Sequence, residues 1–249
     1  MQLYVMDLYR RFKECGSVAV ELQAMENGGL FFDFSEGCSD SVNALERGAA
    51  CVVVSSASGV AVSGDSRYFP VDDVLTALHD LARWHRSMSF IDGRPLPVVA
   101  LTGFDGVGAV KDAVSEILSA GFEVTATLGD VDDMLTLPLT LLRIAPSTKV
   151  AVVSFAAGEP GDILRMSNVA LPNYGLITSV SDETKEIFGE LYAYLRRTSD
   201  KVFLDSSDPV LCEMASEKGL HYDPERSDSL VVAYEGDAAL ALGRYFGSI

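Results

Sequence analysis

The run Thr102-Gly-Phe-Asp-Gly-Val-Gly-Ala-Val-Lys has the residue types and spacing most suggestive of chemistry in this 249-residue chain. Glycines at 103, 106 and 108 follow a strand-length apolar run and open a helical pattern. That is the setting in which backbone N–H groups and a helix N-terminus wrap a phosphate. A working loop of this kind also needs a lysine for the terminal phosphates and a Ser or Thr hydroxyl for magnesium. Val107 stands at the lysine position and Gly108 at the hydroxyl position, while Asp105 adds a negative charge inside the loop. Removing a unit charge about 4 Å from a phosphate forfeits about 4 kcal/mol of attraction at an effective dielectric near 20. Lys111 lies four residues further on, about 6 Å along a helix axis, with side chains leaning toward the N-terminus. It can approach the loop, but the plainer expectation is a solvated lysine on the outer helix face. Gly103, Asp105, Gly106, Val107, Gly108 and Lys111 are therefore the candidate cofactor-binding set, the remnant of a phosphate loop.

Other chemistry-bearing residues are sparse. Asp130, Asp132 and Asp133 have the density of a cation site, yet a solvated acidic loop is the expected reading. His79 and His85 are six apart on one helical pattern and point in different directions, which suits packing or surface roles, and His221 sits in a polar stretch. Cys15, Cys38, Cys51 and Cys212 are widely spaced with no Cys-x-x-Cys, so reduced thiols are expected rather than a zinc site or a disulfide framework. No catalytic residue and no metal ligand is assigned.

The elements that must position these residues read as α/β. Leu30 to Phe34 and Ala50 to Val54 are strand-like, with a short helix at Val42 to Arg47 between them. Val71 to Arg86 reads as a helix with Asp72 and Asp73 at its start. Ser87 to Pro97, with Asp92-Gly93 and two prolines, breaks the pattern and places a boundary between residues 1–90 and 91–249. Beyond it, strand-length apolar runs at Pro97–Leu101, Lys149–Phe155, Gly175–Val180, Lys201–Leu204 and Leu230–Tyr234 alternate with helical stretches. The first helix is expected to bury Val110, Val114, Ile117 and Leu118; the others span Gly161–Ala170, Asp182–Arg197, Pro209–Glu217 and Gly236–Phe246. Unalternating apolar strands separated by helices imply a mainly parallel sheet covered on both faces. Ligands of such sheets bind at the carboxyl ends of the strands, where the glycine loop lies.

Lys plus Arg is 19 against 36 for Asp plus Glu, a net charge of −17, which disfavours nucleic acid and anionic lipid as partners. No apolar run reaches the roughly 18 residues of a membrane span, and the opening Met1-Gln-Leu-Tyr-Val-Met-Asp lacks the order of an export signal. The expectation is a cytoplasmic chain without membrane insertion.

Five segments, in order, resemble the Mur ligase family, and within it the MurF-like branch that adds D-alanyl-D-alanine to a UDP-muramoyl-tripeptide. Gly29-Leu-Phe-Phe-Asp-Phe-Ser-Glu-Gly is similar to the family's N-terminal strand and turn, and Ala44-Leu-Glu-Arg-Gly-Ala-Ala-Cys-Val-Val-Val to the helix and strand that follow. Val71-Asp-Asp-Val-Leu-Thr-Ala-Leu-His-Asp-Leu-Ala-Arg-Trp-His-Arg is the closest stretch. Gly129-Asp-Val-Asp-Asp-Met-Leu-Thr-Leu-Pro-Leu resembles the segment after the first central helix, and Gly236-Asp-Ala-Ala-Leu-Ala-Leu-Gly-Arg-Tyr-Phe-Gly the helix closing the central domain. The resemblance implies a small N-terminal domain of the UDP-substrate type at 1–90. It also implies an ATPase-like central domain of P-loop type at 91–249, with a mainly parallel sheet flanked by helices.

The family's ligases use ATP and magnesium to form an acyl phosphate that an amine attacks. The departures from its pattern fall on those positions. Besides Val107 and Gly108, Ser154 matches the magnesium-binding Glu, and Asp130, Asp132 and Asp133 replace an Asn-rich stretch. Depending on the alignment, Thr184 matches the His near magnesium or Phe188 the carbamylated Lys. Leu22-Gln23 stands where Ser-Arg would meet the uridine nucleotide. Only 25 residues lie between Pro209 and Glu235, fewer than the family carries, and Gly247-Ser-Ile falls where the family's third domain would begin. The resemblance thus implies a degenerate homologue lacking the C-terminal domain, without ligase activity, that needs no cofactor. If any nucleotide binding remains, it would be of ATP and Mg. An interaction or regulatory role with another Mur ligase or cell-wall protein is expected. Two other readings stay open: a nucleotide sensor using the loop's N–H groups, and an ATP-dependent ligase completed by a separate chain.

Overall fold

The computed structural model describes residues 4–62, 64–198, 200–221 and 229–247. The opening Met1–Leu3 and the closing Ser248-Ile249, part of two segments read above, lie outside the described residues. The chain divides into two compact units, Met1–His85 and Arg86–Ile249.

In the first unit the order is α1 (Tyr4–Glu14), β1 (Val18–Ala19), β2 (Leu30–Phe32), α2 (Ser41–Glu46), β3 (Cys51–Ser55), β4 (Tyr68–Val71) and α3 (Val74–Ser87), the last crossing into the second unit at Arg86. The strands form one sheet in the order β1-β2-β3-β4, every pair parallel. The strand residues Leu30, Phe31, Phe32, Val52, Val53 and Val54 are all buried, as a sheet covered on both faces requires. Phe31, Val52 and Val54 pack with Ala44 of α2, while α1 meets α3 through Tyr4 Oη, which donates to Asp80 (2.7 Å), and through a ring cluster of Tyr9, Phe12, Trp84 and His85. His85 is a packed, buried histidine, hydrogen-bonded at Nδ1 with Tyr9 Oη (3.3 Å).

The helix expected from Val71 starts at Val74. Val71 pairs with Ser55 as the last residue of β4, and Asp73 accepts the Thr76 N–H at the helix start. An extended Tyr-Phe-Pro-Val run with its own strand partner outcompetes helical spacing at that end.

The second unit opens with a two-stranded antiparallel hairpin, β5 (Phe90–Ile91) and β6 (Arg94–Pro95). There follow β7 (Val98–Thr102), α4 (Val107–Ser119), β8 (Val124–Ala126), α5 (Thr136–Leu142), β9 (Val150–Ser154), α6 (Asp162–Ala170) and β10 (Tyr174–Ile177). The chain continues as α7 (Lys185–Thr198), β11 (Lys201–Asp205), α8 (Pro209–Glu217), β12 (Val231–Tyr234) and α9 (Ala238–Gly247). Six strands form a fully parallel sheet in the order β12-β11-β10-β7-β9-β8. The central strands are apolar throughout because helices cover both faces. Helices α4 and α9 pack with Val99, Leu101, Val152, Leu176 and Phe203, and α7 covers β10 and β11. The chain runs from β7 outward to β8, returns through β9, and crosses to β10 on the other side of β7. That reversal is a topological switch point, and the carboxyl end of β7 sits on it.

No helix among the described residues is long and apolar enough to cross a membrane.

Candidate functional site

The segment leaving the carboxyl end of β7 keeps the shape of a phosphate loop. Gly106 caps α4 in a left-handed conformation (φ 72°) without a side-chain cap. Gly103 (φ 150°) passes so close to β10's exit that a Cβ there would lie 2.2 Å from Thr178 Oγ1 and 3.0 Å from the Ser179 backbone. Only glycine fits such an approach.

The interior of that loop is occupied by the chain itself. Phe104 N–H donates to Ser179 O (2.9 Å), and Asp105 N–H to Ser179 Oγ (3.1 Å). Gly106 N–H donates to the Asp105 carboxylate (2.7 Å), and Thr178 Oγ1 donates to Asp105 O (2.8 Å). Three donors that a phosphate would use thus have partners, and one partner is an anion of the same loop. Val107, at the lysine position, is buried against the core of α4 and β7. At Gly108 the Asp130 side chain fills the neighbouring space, since a Cβ on Gly108 would meet its Oδ1 at 2.9 Å. A threonine there would displace Asp130.

Lys111 differs from its expected placement. It is 3% exposed, and its ammonium donates to Thr127 O (3.2 Å) and Gly129 O (2.7 Å) and pairs with Asp112 (2.7 Å). The fully buried stripe of α4 is Val107, Lys111, Val114 and Leu118, while Val110 and Ile117 of the expected face are half-buried and pack against the same core. The four-, three- and four-residue spacing of that stripe marks one helix face. Spacing alone placed Lys111 on it, and residue type argued the other way. The lysine ties α4 to the loop after β8.

The acidic triplet is likewise not one solvated loop. Asp132 is buried. It accepts from Thr127 Oγ1 (2.6 Å) and Thr140 Oγ1 (3.1 Å), and its backbone bridges to Phe155. Burial pushes its carboxyl above the ordinary range, against the pull of those two hydroxyls. Asp133 accepts the N–H groups of Leu135 and Thr136 at the start of α5, while Asp130 is exposed. No group of three or more metal-ligating side chains exists among the described residues.

The same substitution of internal carboxylates for external anions recurs along the rim. Glu190 of α7 accepts Gly161 N–H (2.6 Å) and Leu164 N–H (3.1 Å) at the start of α6, with Asp162 accepting Gly158 and Glu159 N–H. Asp208 caps α8, and Asp237 caps α9. A carboxylate at a helix N-terminus satisfies the orphan donors and the dipole that would otherwise favour an anion. Of the other sequence candidates, Ser154 donates to Asp130 O (2.8 Å), Thr184 bonds Ser181, and Phe188 is buried. His221 is exposed. The residues present therefore do not fit a triphosphate with magnesium.

Two cavities stand out among the described residues. One, of about 500 Å³, lies beside α4 at the carboxyl ends of β10 to β12, lined by Val110, Thr178, Asp205, Tyr234 and Asp237. The other, of about 380 Å³, belongs to the first unit, between the ends of β2 and β3 and the start of α3, with Asp33, Asp72 and Asp73 in its wall. Asp33 accepts from Ser35 and Ser41. Leu22 packs against that unit's core.

Comparison with known proteins places these features. Residues 101–203 match the Mur ligase middle domain. The UDP-N-acetylmuramoyl-tripeptide--D-alanyl-D-alanine ligase of Escherichia coli is 32% identical over 121 residues, 49% of this chain and 26% of that protein. The corresponding ligase of Mycobacterium leprae is 27% identical over 230 residues, 80% of this chain and 44% of that protein. The chain thus spans less than half the length of either relative. Among solved structures, the UDP-N-acetylmuramoylalanyl-D-glutamyl-2,6-diaminopimelate--D-alanyl-D-alanyl ligase of Acinetobacter baumannii superposes with a TM-score of 0.73 at 17% identity, covering 92% of this chain and 52% of that one. MurF from Thermotoga maritima, solved with ADP, gives 0.65 at 19% identity over 88% of this chain and 50% of that one. These two show a shared fold.

Proposed function

From the premise that the chain is a MurF-like Mur ligase homologue, we propose that it is a non-catalytic member of that family, acting by binding another protein of peptidoglycan-precursor synthesis. One observation carries the reading: the N–H groups of residues 104 to 106 are occupied by Ser179 and by the Asp105 carboxylate. An incoming phosphate would have to break those bonds and face Asp105 and Asp130, with Lys111 already engaged by Thr127, Gly129 and Asp112. Ligases of this family depend on ATP and magnesium, and removing one transition-state charge donor typically costs about 10²–10³ in rate. Here the loop lysine, the loop hydroxyl and the magnesium-binding Glu are all replaced. With the chemistry gone and the fold retained, binding to another cell-wall protein, such as an intact Mur ligase, is the role that remains.

Thermal melting with millimolar Mg-ATP tests this. A ligand with a Kd of about 10 μM would add about 2.7 kcal/mol of stability. No shift is expected, and no ADP is expected when UDP-MurNAc-tripeptide and D-alanyl-D-alanine are added. A clear upward shift in melting temperature would favour a nucleotide sensor, and ADP formation above background would restore the ligase; either overturns the proposal.

A further inference from the structure

The rim that lacks a ligand's charges carries exposed apolar side chains instead. Phe104, at the tip of the glycine loop, is 65% exposed; Leu128, in the loop after β8, is 82% exposed, and Val131 in the same loop is 40% exposed. Both loops leave the carboxyl edge of one sheet. They are separated by β9 alone, two strand spacings or about 10 Å. They are also tied together, through Asp130 against Gly108 and through the Lys111 ammonium on Thr127 and Gly129. Around them stand exposed Asp105, Asp112, Asp130 and Asp133. Lys111, the sole Lys or Arg between residues 103 and 142, is buried; the exposed Arg143 has its guanidinium on Ala126 O (3.0 Å) at the end of β8, leaving four exposed carboxylates against one exposed cation at the rim.

We propose that this rim is a docking surface for a partner protein segment that carries lysine or arginine among apolar side chains. The inference rests on the reading that the loop holds no nucleotide, and it gives that reading a face and a partner chemistry. Phe104 and Leu128 supply contact area of the kind that anchors interfaces. The acidic border selects a basic occupant and repels acidic ones. A second copy of this chain is disfavoured by the same charges, since a net −17 on each would bring two acidic rims together. A helix about 10 Å across, or an extended strand, is wide enough to touch both loops.

The test titrates a synthetic amphipathic leucine–lysine peptide into the isotope-labelled chain and follows the amides of Gly103, Gly106 and Gly129. Binding is expected with perturbations confined to those loops. It should weaken at least about tenfold in high salt, and in the double variant Phe104→Ser, Leu128→Ser, whose exposed positions leave the fold intact. A leucine–glutamate peptide and a serine–lysine peptide should not bind. Lack of binding at millimolar leucine–lysine peptide would overturn the inference. So would perturbations spread over the whole acidic surface, or equal binding of the serine–lysine peptide. Sedimentation showing a dimer of the chain that the double variant abolishes would make the rim a self-interface and also overturn it. These failures are separable from the proposed function, which falls on nucleotide binding or turnover and stands if only the peptide fails.

Discussion

The interior of the second unit's sheet and its carboxyl rim are adjacent along the same strands, yet they answer to different physics. Inside, β7, β9 and β10 are buried, largely apolar runs that pack with α4 and α9, mostly within the segment that matches the Mur ligase middle domain. At the rim, just beyond the strand ends, the side chains do not suit a triphosphate. Packing constrains volume and polarity, and many sequences satisfy it. Phosphate chemistry constrains individual charges at individual positions, so it can be lost while the packing stays. The helix starts differ locally: Asp208 and Pro209 begin α8 with a side-chain cap, whereas α4 starts at a left-handed Gly106 with none.

Three perturbations break or sharpen this contrast, beyond the nucleotide and peptide titrations. The largest effect belongs to the interior: Leu101→Ala, at a fully buried position in β7, should cost about 3–4 kcal/mol in urea unfolding. A loss below about 1 kcal/mol would mean the interior is as tolerant as the rim. Next comes Lys111→Met, which keeps the stem and removes the ammonium from the Thr127 and Gly129 carbonyls. It should lower stability by about 1–2 kcal/mol and speed amide exchange across residues 127–131. Unchanged exchange there would show that the lysine does not hold that loop.

The smallest effect is a pH dependence at Asp132. Burial raises its carboxyl pKa in the folded chain, so the stability it contributes is fully present below the unfolded value, about 3.9, and is lost as pH rises through the folded one. The melting-temperature advantage of the wild type over Asp132→Asn should therefore shrink from acid toward neutral pH. A gap that widens instead would mean that the hydroxyls of Thr127 and Thr140 stabilise the ion more than burial penalises it.

Much of the fold was legible in residue patterns and much of the rim was not. Pro209–Glu217 is a helix at its expected bounds because Asp208-Pro209 is a start signal with a mechanism. Lys149 to Phe155 contains β9 because the buried positions Val150 to Val153 leave a continuous apolar run. The helix α1 went unread, its polar residues interleaved with aromatics, and α5 was obscured by two threonines and Pro138. Lys111 and Asp132 misled for one reason: a buried charge is held by partners distant in sequence. Lys111 depends on the Thr127 and Gly129 carbonyls, and Asp132 on Thr127 and Thr140. Neither pairing leaves a periodic trace. The closed state of the glycine loop was hidden too, since it depends on Ser179, which the chain brings back only after crossing the sheet.

The central place of β7 carries a consequence for biogenesis. Its partner on one side, β9, begins at Val150, and the contact from Val98 to Asn173 beside its other partner spans 75 positions. As the polypeptide leaves the ribosome, Val98–Thr102 emerges before both flanking strands and stays without strand partners until they have been translated. An apolar ribbon left open for so long is a natural client for a nascent-chain chaperone.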